Sequence, residues 1–427
     1  MSLTPPEGNL TRTIAYVTKA FPRASETFIL DEILGLEASG IRLALFAMSD
    51  PAEPMVQPDV ARVASTVTYL RPSGKWAARR RTVGNVAVHL GLAARHPRRY
   101  ARALGRLVSG SDRRTAARHF LDAGRLALHL RRSGAGHIHA AFAHTPASVG
   151  YYAHILTGLP FSFAGHAKDL YRSNAHNLGR RAREARLVLA CSASARRAVL
   201  ERAGPEVPVV LARHGVDVER FSPSPSPSPS RPAAPGGPEG ERALRVLAVG
   251  RLVPKKGYPD LLEAVALVSR TGRLVRCDIV GDGELETGLR ADIERLGLAG
   301  VVRLVGERTH QELAAAYRQA DVFVQASVVL ADGDRDGIPN TLLEAMASAT
   351  AVVATDVAGI PEVVVDSENG LLVPPRDPKA LADAVLRLAD DPRLRARLGN
   401  AARGEVLARH DRRQCVQRVS ELLAAVT

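Results

Sequence analysis

A serine- and proline-rich stretch divides this chain of 427 residues into two halves. Between Phe221 and Pro238 it alternates Ser with Pro and then turns to Ala, Pro and Gly. Proline cannot donate a ladder hydrogen bond and favours extended polyproline II, so a linker is predicted over residues 222–242. The sequence therefore predicts two domains, residues 1–221 and 243–402, followed by helical sequence over 403–427.

Both halves alternate strand-like and helix-like segments. In the first half Ile14–Thr18 is predicted to be a strand, followed by a helix over Ser25–Gly40, capped by Ser25, and a strand at Ile41–Phe46. Alternation of this kind is typical of α/β domains with mainly parallel sheets. In the second half the predicted strands are Arg245–Val249, Arg276–Val280, Val301–Val305, Val322–Gln325 and Ala351–Ala354.

Two carboxylates flank a predicted helix start in Asp336-Gly-Ile-Pro-Asn-Thr-Leu-Leu-Glu344. Pro339 fits the first turn, where its missing N–H costs nothing. Unpaired backbone N–H groups at a helix start bind anions such as a diphosphate, and carboxylates accept hydrogen bonds from the paired hydroxyls of a sugar or ribose. The alternative is a helix start with a surface acid on either side.

A cationic loop follows the first predicted strand of the second half. It contains Arg251, and Lys256 directly before Gly257. Open α/β sheets bind ligands at the C-terminal ends of their strands, so these cations are candidates for binding an anionic ligand. Two solvated cations in a loop are the alternative. The later Gly281-Asp-Gly283 is too short for a dinucleotide fingerprint and is interpreted as a structural turn.

Both motifs resemble those of the retaining family 4 glycosyltransferases, which have the GT-B fold. Asp336 and Glu344 match the family's E-x7-E element, with Asp in place of the first Glu, and residues 250–257 match its Gly-Arg-Leu-x-x-x-Lys-Gly element. The resemblance implies two Rossmann-like α/β domains facing a central cleft, with a C-terminal helix from about Arg403 crossing back to the first domain. It also implies that Arg251 and Lys256 hold the phosphates of a nucleotide sugar. The sugar would contact Asp336, and the rest of the donor would contact Gly337, Ile338, Pro339, Asn340, Thr341 and Glu344.

The first half resembles the acceptor side of the same family. Phe161–Tyr171 is predicted to be a strand running into a turn, and its His-Ala-Lys-Asp sequence resembles the turn whose His reaches the donor sugar. That residue is His166, although a lone histidine after a strand is more often structural. The first loop resembles the Phe-Pro-x-x-Ser-Glu-Thr-Phe variant of bacterial exopolysaccharide and natural-product members. This implies that Arg23, Ser25 and Glu26 border the acceptor or the donor phosphate, while helix capping alone would also explain Ser25.

The net charge of +14 is concentrated in one segment. Residues 71–132 contain fifteen Arg and Lys75 against two Asp, which gives this basic segment a net charge of +14 by itself. Cationic clusters such as Arg79–Arg81 alternate with apolar runs such as Val86–Leu92, which predicts amphipathic helices with a basic face. That face would meet anionic acceptors or an anionic membrane; a solvated face without a ligand is the alternative. Aromatic residues are few there, so nucleic acid is not a predicted partner.

The predicted location is the cytoplasm, with peripheral contact at the inner membrane face. Three widely spaced cysteines fit a reducing compartment, and the N-terminus lacks the pattern of a signal peptide. Residues 133–167 contain no Asp, Glu, Lys or Arg, but five histidines and two prolines favour a buried core segment over a membrane span.

Two metal-like patterns are interpreted otherwise. Asp332-Gly-Asp334 resembles the DxD of GT-A transferases, but GT-B members need no metal for catalysis. His137, His139 and His144 lack a nearby carboxylate or cysteine and are predicted to lie in strands and core.

The predicted function is metal-independent, cofactor-free transfer of a hexose-type residue, with retention, from a nucleotide diphosphate sugar to a hydroxyl acceptor. UDP is the predicted donor base because it is the family's commonest, and the acceptor would belong to polysaccharide, glycolipid or natural-product biosynthesis. The alternative is a non-catalytic basic module that binds nucleic acid or a membrane.

Overall fold

The computed structural model describes residues 13–23, 26–53, 57–71, 75–109, 112–171, 173–223 and 242–427. Most of the predicted linker, residues 224–241, lies outside this part of the chain, and so does Ser25. The chain forms two compact units. The first runs up to Arg213 and includes Cys415–Thr427, and the second is His214–Gln414.

The first unit is a parallel sheet of seven strands with helices on both faces. The strand order is β3-β2-β1-β4-β5-β6-β7. The strands are β1 (Thr13–Ala20), β2 (Arg42–Ser49), β3 (Val67–Tyr69), β4 (Ala135–Ala140), β5 (Phe161–Gly165), β6 (Leu187–Ala190) and β7 (Val209–Leu211). The helices are α1 (Thr27–Ala38), α2 (Lys75–Arg95), α3 (Pro97–Val108), α4 (Arg113–Ser133), α5 (Thr145–Thr157), α6 (Ala167–Tyr171), α7 (Ala175–Glu184) and α8 (Ala193–Ala203).

Strand β1 lies in the middle of this sheet and is buried on both faces. Ala15 and Val17 belong to the apolar core on one face, and Ile14 and Tyr16 to the core on the other. Side chains of successive residues point to opposite faces of a strand, so an apolar run without alternation is what a doubly covered parallel strand requires.

The second unit is a parallel sheet of six strands in the order β10-β9-β8-β11-β12-β13. Its cores likewise lie on both faces, with Val246 and Ala248 on one side of β8 and Leu247 and Val249 on the other. The strands are β8 (Leu244–Val249), β9 (Val275–Val280), β10 (Val302–Gly306), β11 (Val322–Gln325), β12 (Ala351–Thr355) and β13 (Leu371–Val373). The helices are α9 (Tyr258–Arg270), α10 (Glu286–Arg295), α11 (His310–Gln319), α12 (Asn340–Ala347), α13 (Pro378–Asp390), α14 (Pro392–Arg409) and α15 (Arg412–Ala424).

The chain returns to the first unit through α15. Val419 and Leu423 lie in the core that contains Ile14 and Tyr16, and the Ser39 hydroxyl donates to Ser420 Oγ at 3.2 Å. Helix α14 runs unbroken through Arg403, so the separate last helix begins at Arg412 instead.

The basic segment is helical, as its pattern predicts, and forms α2, α3 and α4. The segment without charges, residues 133–167, holds β4, α5 and β5 and is mostly buried, which confirms its interpretation as core. No described helix combines the length and the apolar character that a bilayer crossing requires. The prediction that Ser25 caps α1 is wrong. The helix begins at Thr27, Glu26 occupies the N-cap position, and the Glu26 side chain makes no cap hydrogen bond.

Candidate active site

The switch point of the second sheet lies between β8 and β11. The chain leaves β8 towards β9 and β10 on one side and later resumes at β11 on the other. Open α/β sheets bind ligands at such a point, outside the carboxyl ends of the strands. The loop after β8 carries Arg251 and Lys256, and the loop after β11 carries Asp336. Topology therefore brings the two sequence motifs to the same edge.

Close backbone approach joins these two loops. Gly257 has a φ of +65°, and a Cβ added there would overlap the carbonyl oxygen of Ala326. The Val328 N–H donates to the Lys255 carbonyl between the same loops at 2.9 Å. Glycine is the residue that tolerates both this φ and this proximity. The glycine of the cationic motif thus lets the two loops meet.

Asp336 is the centre of a buried charged cluster. Its carboxylate lies 2.8 Å from Lys256 Nζ and 3.4 Å from Lys255 Nζ, and it accepts a hydrogen bond from Ser327 at 2.9 Å. Burial alone raises the pKa of this carboxyl, but the two ammonium groups and the bonds from Lys256 and Ser327 hold the pKa below its usual value. Asp336 is therefore ionised at neutral pH, and Lys256 is paired with it.

Lys255 is the more deeply placed of the two lysines. It is buried, and its ammonium also lies 3.2 Å from the carboxylate of Asp334. Asp334 in turn donates its backbone N–H to Asp332 Oδ1 at 2.9 Å. The Asp332-Gly-Asp334 sequence thus forms a tight turn with one carboxylate facing a lysine. The sequence analysis did not identify Lys255, Asp334 or Ser327 as part of the site.

A chain of hydrogen bonds links helix α12 to Asp336. Thr341 Oγ1 donates to Gln325 Oε1 at 3.4 Å, and Gln325 Nε2 donates to Ser327 Oγ at 2.8 Å. Ser327 then donates to Asp336, so the orientation of that carboxylate depends on the last residue of β11.

Several backbone N–H groups at the N-terminus of α12 are available as hydrogen-bond donors. Among the described residues, no acceptor lies within hydrogen-bond range of the backbone N–H of Gly337, Ile338, Asn340 or Thr341. Pro339 occupies the N-cap position and makes no side-chain cap bond. The first N–H groups of a helix carry partial positive charge, which makes this end suited to an anion.

Glu344 lies one turn into α12 and is buried. Its Oε2 accepts a hydrogen bond from the Tyr317 hydroxyl at 2.8 Å. Burial, followed by the charge of Glu344 and its hydrogen bond, raises the pKa of Tyr317 well above its usual value, so the phenol stays a donor. Tyr317 therefore fixes one oxygen of the carboxylate, a contact that the sequence analysis missed.

Arg251 differs from the lysines because its side chain is exposed. No described residue forms an ion pair with its guanidinium group. The neighbouring Gly281 has a φ of +143°, and a Cβ there would overlap the carbonyl oxygen of Gly250. The interpretation of Gly281-Asp-Gly283 as a structural turn is consistent with this close approach.

In the first unit, His166 follows β5 and is held by backbone contacts. Its Nε2 lies 2.9 Å from the Ala141 carbonyl oxygen and must donate to it, and its backbone N–H donates to Asp169 at 3.0 Å. The ring lies 5.0 Å from the rings of both Phe28 and Phe142. Burial lowers the pKa of His166 to about 4, against the opposing effect of the Ala141 bond. The imidazole is therefore neutral at physiological pH.

Two of the predicted acceptor-side residues pair with each other. Arg23 lies 3.1 Å from both Glu26 and Glu53. Burial raises the pKa of Glu26, while the charges of Arg23 and Lys19 oppose the shift. These contacts show a local ionic network, whereas Ser25 lies outside the described residues.

Two of the three histidines interpreted as strand or core residues are confirmed as such, whereas His144 is half-buried at the N-cap position of α5. His137 and His139 are fully buried on β4 and share Ser162, whose hydroxyl oxygen lies 2.7 Å from His137 Nε2 and 2.8 Å from His139 Nδ1. The three cysteines, Cys191, Cys277 and Cys415, are buried and are not joined by a disulfide.

Comparison with known proteins gives the family of the second unit. Residues 235–405 match the family model described as Glycosyl transferases group 1. The chain carries a group 1 glycosyltransferase domain. The matched residues include Arg251, Lys256, Asp336 and Glu344, so the whole cluster described above lies within the glycosyltransferase domain.

Relatives of the glycosyltransferase domain differ in how much of the chain they cover. The chain is 27% identical to the amylovoran biosynthesis glycosyltransferase AmsK of Erwinia amylovora, over 96% of this chain and 98% of AmsK. It is 40% identical to WcaL of Escherichia coli, which is named as a colanic acid biosynthesis glycosyltransferase. That match spans only 42% of this chain and 41% of WcaL.

Solved structures align with nearly the whole chain. HepE of Anabaena in complex with UDP-glucose has a TM-score of 0.70 at 19% identity and covers 96% of this chain and 99% of HepE. Sucrose-phosphate synthase of Thermosynechococcus elongatus has a TM-score of 0.68 at 19% identity, with 96% and 98% covered. Such identities carry the fold alone, and they confirm the predicted GT-B class with two Rossmann-like units. Family 4 membership and the site residues stay predictions.

Proposed function

We propose that the chain is a retaining glycosyltransferase that moves a hexose-type residue from a nucleotide diphosphate sugar to a hydroxyl acceptor. One observation carries the proposal. At the switch point of the second sheet, Lys256 Nζ lies 2.8 Å from the carboxylate of Asp336. Asp336 comes directly before the residues whose N–H groups are open at the start of α12. Positive charge, anion-binding amides and a carboxylate that accepts from hydroxyls are what a sugar diphosphate requires.

Each group has a role in the proposed reaction. Arg251 and Lys256 bind the two phosphates and stabilise the negative charge that develops on the nucleotide leaving group. The backbone N–H groups of Gly337, Ile338, Asn340 and Thr341 bind the diphosphate as well. Asp336 accepts from a hydroxyl of the transferred sugar, and Glu344, oriented by Tyr317, accepts from the ribose hydroxyls. His166 would accept a hydrogen bond from a sugar hydroxyl at Nδ1 of its neutral imidazole, because Nε2 donates to Ala141.

The names of similar proteins support this proposal. AmsK and WcaL are named for the biosynthesis of amylovoran and colanic acid, and HepE was solved with UDP-glucose. We therefore propose that the donor is a UDP-sugar and that the acceptor is a hydroxyl of a saccharide or a lipid-linked saccharide. The reaction would take place in the cytoplasm of a bacterium. Metal independence and the absence of a cofactor are part of the proposal, because the cations of this site already supply positive charge. Full activity in the presence of EDTA is the expected result.

Calorimetry with UDP, GDP, ADP and TDP tests the donor site. UDP should bind to the wild type and raise its melting temperature. At one hundred times its Kd, UDP should increase the free energy of unfolding by about 2.7 kcal/mol. Lys256→Gln should weaken that binding at least tenfold. Lys379→Gln is a matched control, since Lys379 is an exposed lysine in the same unit, paired with Asp383. Absence of binding by all four nucleotides, or equal binding by both variants, would contradict the proposal.

We also propose that the basic segment binds anionic membranes. Arg71 forms an ion pair with Asp122, and Arg102 and Arg106 with Glu184. Other arginines of α3 and α4, such as Arg98, Arg114 and Arg131, form no ion pair with any described residue. Five of the eight large apolar side chains that are exposed in the described structure lie on these helices. They are Val86, Leu90, Leu104, Val108 and Leu121. A surface that is both basic and apolar suits the interface of an anionic bilayer.

Flotation with anionic and neutral liposomes tests the membrane contact. Binding should be confined to anionic vesicles, weaken with salt and fall for Leu90→Gln. Leu407→Gln, which changes an exposed leucine of the second unit, should leave it unchanged. Equal recovery with both lipid types would exclude the contact. Strong vesicle binding by a chain that binds no nucleotide would favour the alternative, a non-catalytic basic module.

A further inference from the structure

A polar cavity lies within the first unit. It has a volume of about 260 Å³ and lies among α4, α5 and α7. Its lining includes the side chains of His119, His144, Ser148, Asn177, Arg180 and Arg181. None of these residues has a role in the reaction proposed above.

Two adjacent arginines give the cavity its charge. Arg180 and Arg181 are buried, with only 8% and 7% of their surface exposed. Among the described residues, no carboxylate oxygen lies within 4.0 Å of either guanidinium group. Burying a charge without an opposite charge is unfavourable, and natural proteins therefore pair such groups or use them to bind a ligand.

The direct contacts of the arginines are with neutral groups, and the nearest electrostatic influence of a carboxyl, that of the buried Asp169 on Arg181, acts from beyond 4.0 Å. Arg180 donates to the Arg106 carbonyl at 3.2 Å and to Ser109 Oγ at 3.0 Å, and Arg181 donates to Ser148 Oγ. The Nε atoms of both arginines are buried and find no hydrogen-bond partner among the described residues. Each guanidinium group therefore keeps donor capacity that the described protein does not use.

The histidines of the cavity add hydrogen-bonding groups but little charge. Burial, and then the nearby cations that include Arg181, lower the pKa of His119 to about 4 and that of His144 to about 3. His144 Nδ1 is buried and has no hydrogen-bond partner in the part of the chain that the structure describes. The one acid of the lining, Asp112, is exposed and caps α4 by accepting from the Thr115 N–H at 3.1 Å. The lining is thus net positive in its buried part.

We propose that this cavity binds a sugar phosphate, with the phosphate monoester on Arg180 and Arg181. Two buried guanidinium groups match the double negative charge of a monoester, and each can donate two parallel hydrogen bonds to it. The volume exceeds what an anion alone fills, since a cavity of about 150 Å³ already admits a six-membered ring. Ser148, Asn177 and Thr145 supply donors and acceptors for sugar hydroxyls.

The location gives the sugar phosphate a role as part of the acceptor. The Phe142 ring lies 5.4 Å from the ring of His144, which lines the cavity, and 5.0 Å from the ring of His166. An acceptor held by its phosphate in the cavity would therefore lie beside the residue assigned to the donor sugar. This role rests on the proposed function, whereas binding of the sugar phosphate does not.

Calorimetry on the full chain tests the site with five probes: glucose 6-phosphate, glucose 1-phosphate, glucuronate, inorganic phosphate and glucose. At least one hexose phosphate should bind ten times more tightly than glucose and than inorganic phosphate, and its affinity should fall with salt. Equal affinity for glucose, tighter binding of glucuronate, or phosphate binding as tight as that of the hexose phosphates would overturn the proposal.

Substitutions locate the binding within the unit. Arg181→Gln should lower the affinity for the hexose phosphate at least tenfold, while Arg183→Gln, an exposed arginine on the same helix, should not. Asn177→Asp is isosteric and places a carboxylate 3.5 Å from Arg180 Nη2, so it should compete with the phosphate without emptying the core. If Arg181→Gln and Asn177→Asp both bind the hexose phosphate like the wild type, the cavity is not the site.

UDP binding in the same samples separates the two proposals. Asn177→Asp and Arg181→Gln should leave the UDP affinity unchanged, because the UDP site belongs to the second unit. A chain that binds a hexose phosphate but no nucleotide would keep this inference and overturn the proposed function. A chain that binds UDP but none of the hexose phosphates would do the reverse.

Discussion

Replacing Asp336 by Asn should strengthen the binding of free UDP. In the structure the Asp336 carboxylate lies 2.8 Å from Lys256 Nζ and 3.4 Å from Lys255 Nζ. It therefore competes with the diphosphate for the cations that the proposed reaction assigns to the leaving group. Asn keeps the shape of the side chain and removes the negative charge.

The magnitude follows from Coulomb's law. A unit charge of the diphosphate at about 6 Å from Asp336 would be repelled by roughly 3 kcal/mol at an effective dielectric constant of about 20. Since the ligand itself brings counterions and the cluster relaxes, we expect about half of this to be measured. A gain of about 1–2 kcal/mol corresponds to UDP binding that is tighter by roughly 5- to 30-fold.

The same substitution should cost stability. Breaking a buried ion pair usually costs about 3–5 kcal/mol, but Lys255 keeps Asp334 at 3.2 Å, so we expect about 2–3 kcal/mol. The folded pKa of Asp336 is lowered, so its stabilisation is complete above the unfolded value of about 3.9 and is lost as the pH falls through the folded pKa. The difference in unfolding free energy between wild type and variant should therefore shrink below about pH 4.

Calorimetry of UDP binding and urea unfolding measure both effects. Asp334→Asn is the matched control, because Asp334 is buried in the same cluster and, of the described cations, pairs with Lys255 and not with Lys256, so it should change the UDP affinity less. Sugar transfer should fall in Asp336→Asn even as UDP binds more tightly. Unchanged or weaker UDP binding by Asp336→Asn would refute the competition between this carboxylate and the diphosphate.

Four further predictions concern single side chains. Glu344→Gln should weaken UDP binding by about 1–3 kcal/mol, the value of a charge-assisted hydrogen bond, and unchanged calorimetry would remove Glu344 from the ribose site. Arg251→Ala should lower kcat by roughly 10²–10³ without changing the melting temperature, because the side chain is exposed, and normal turnover would contradict it. Gly281→Ala should destabilise by about 2 kcal/mol or more in urea, whereas Gly288→Ala, which has open space around it, should not. The pKa of His137 is lowered by burial to about 4, so stability should fall as the pH drops below the unfolded value of about 6.5, by up to about 2 kcal/mol at pH 5. His137→Gln should flatten that slope in urea titrations, and an unchanged slope would refute it.

The strands of the second unit were predictable because burial on both faces leaves a plain signal. The run Val322–Gln325 was predicted as a strand and is β11 with the same bounds. Short edge strands carry less signal, and β3 and β13, of three residues each, were not predicted. They become strands because their neighbours β2 and β12 offer ladder groups, which is information that lies elsewhere in the chain.

The start of helix α1 shows the limit of local sequence signals. Ser25 has the properties of an N-cap, yet α1 begins at Thr27 behind Glu26. The carboxylate of Glu26 meets Arg23 at 3.1 Å instead of capping the helix. A residue 27 positions further on, Glu53, shares that arginine, and a local pattern carries no record of such a contact.

The sequence predicts the motifs of the candidate site but not the ion pairs between their side chains. Sequence spacing identified Lys256 and Asp336 as separate binding groups, whereas the structure joins them in one ion pair. Lys255, the neighbour of a predicted residue, was overlooked because consecutive side chains usually point apart. Here the loop is a short 3-10 turn, Pro254–Lys256, which directs both ammonium groups to the same carboxylate.

The pairing of Lys256 with Asp336 suggests why the proposed donor must be a whole nucleotide sugar. In the free site each buried charge has a partner, so a diphosphate that takes Lys256 leaves Asp336 with one ligand fewer. Ser327 and Lys255 remain beside that carboxylate, and a sugar hydroxyl can fill the vacated position. Exchange of partners then keeps every charge satisfied when both halves of the donor are present. Free UDP leaves Asp336 unsatisfied, and this is the penalty that Asp336→Asn removes.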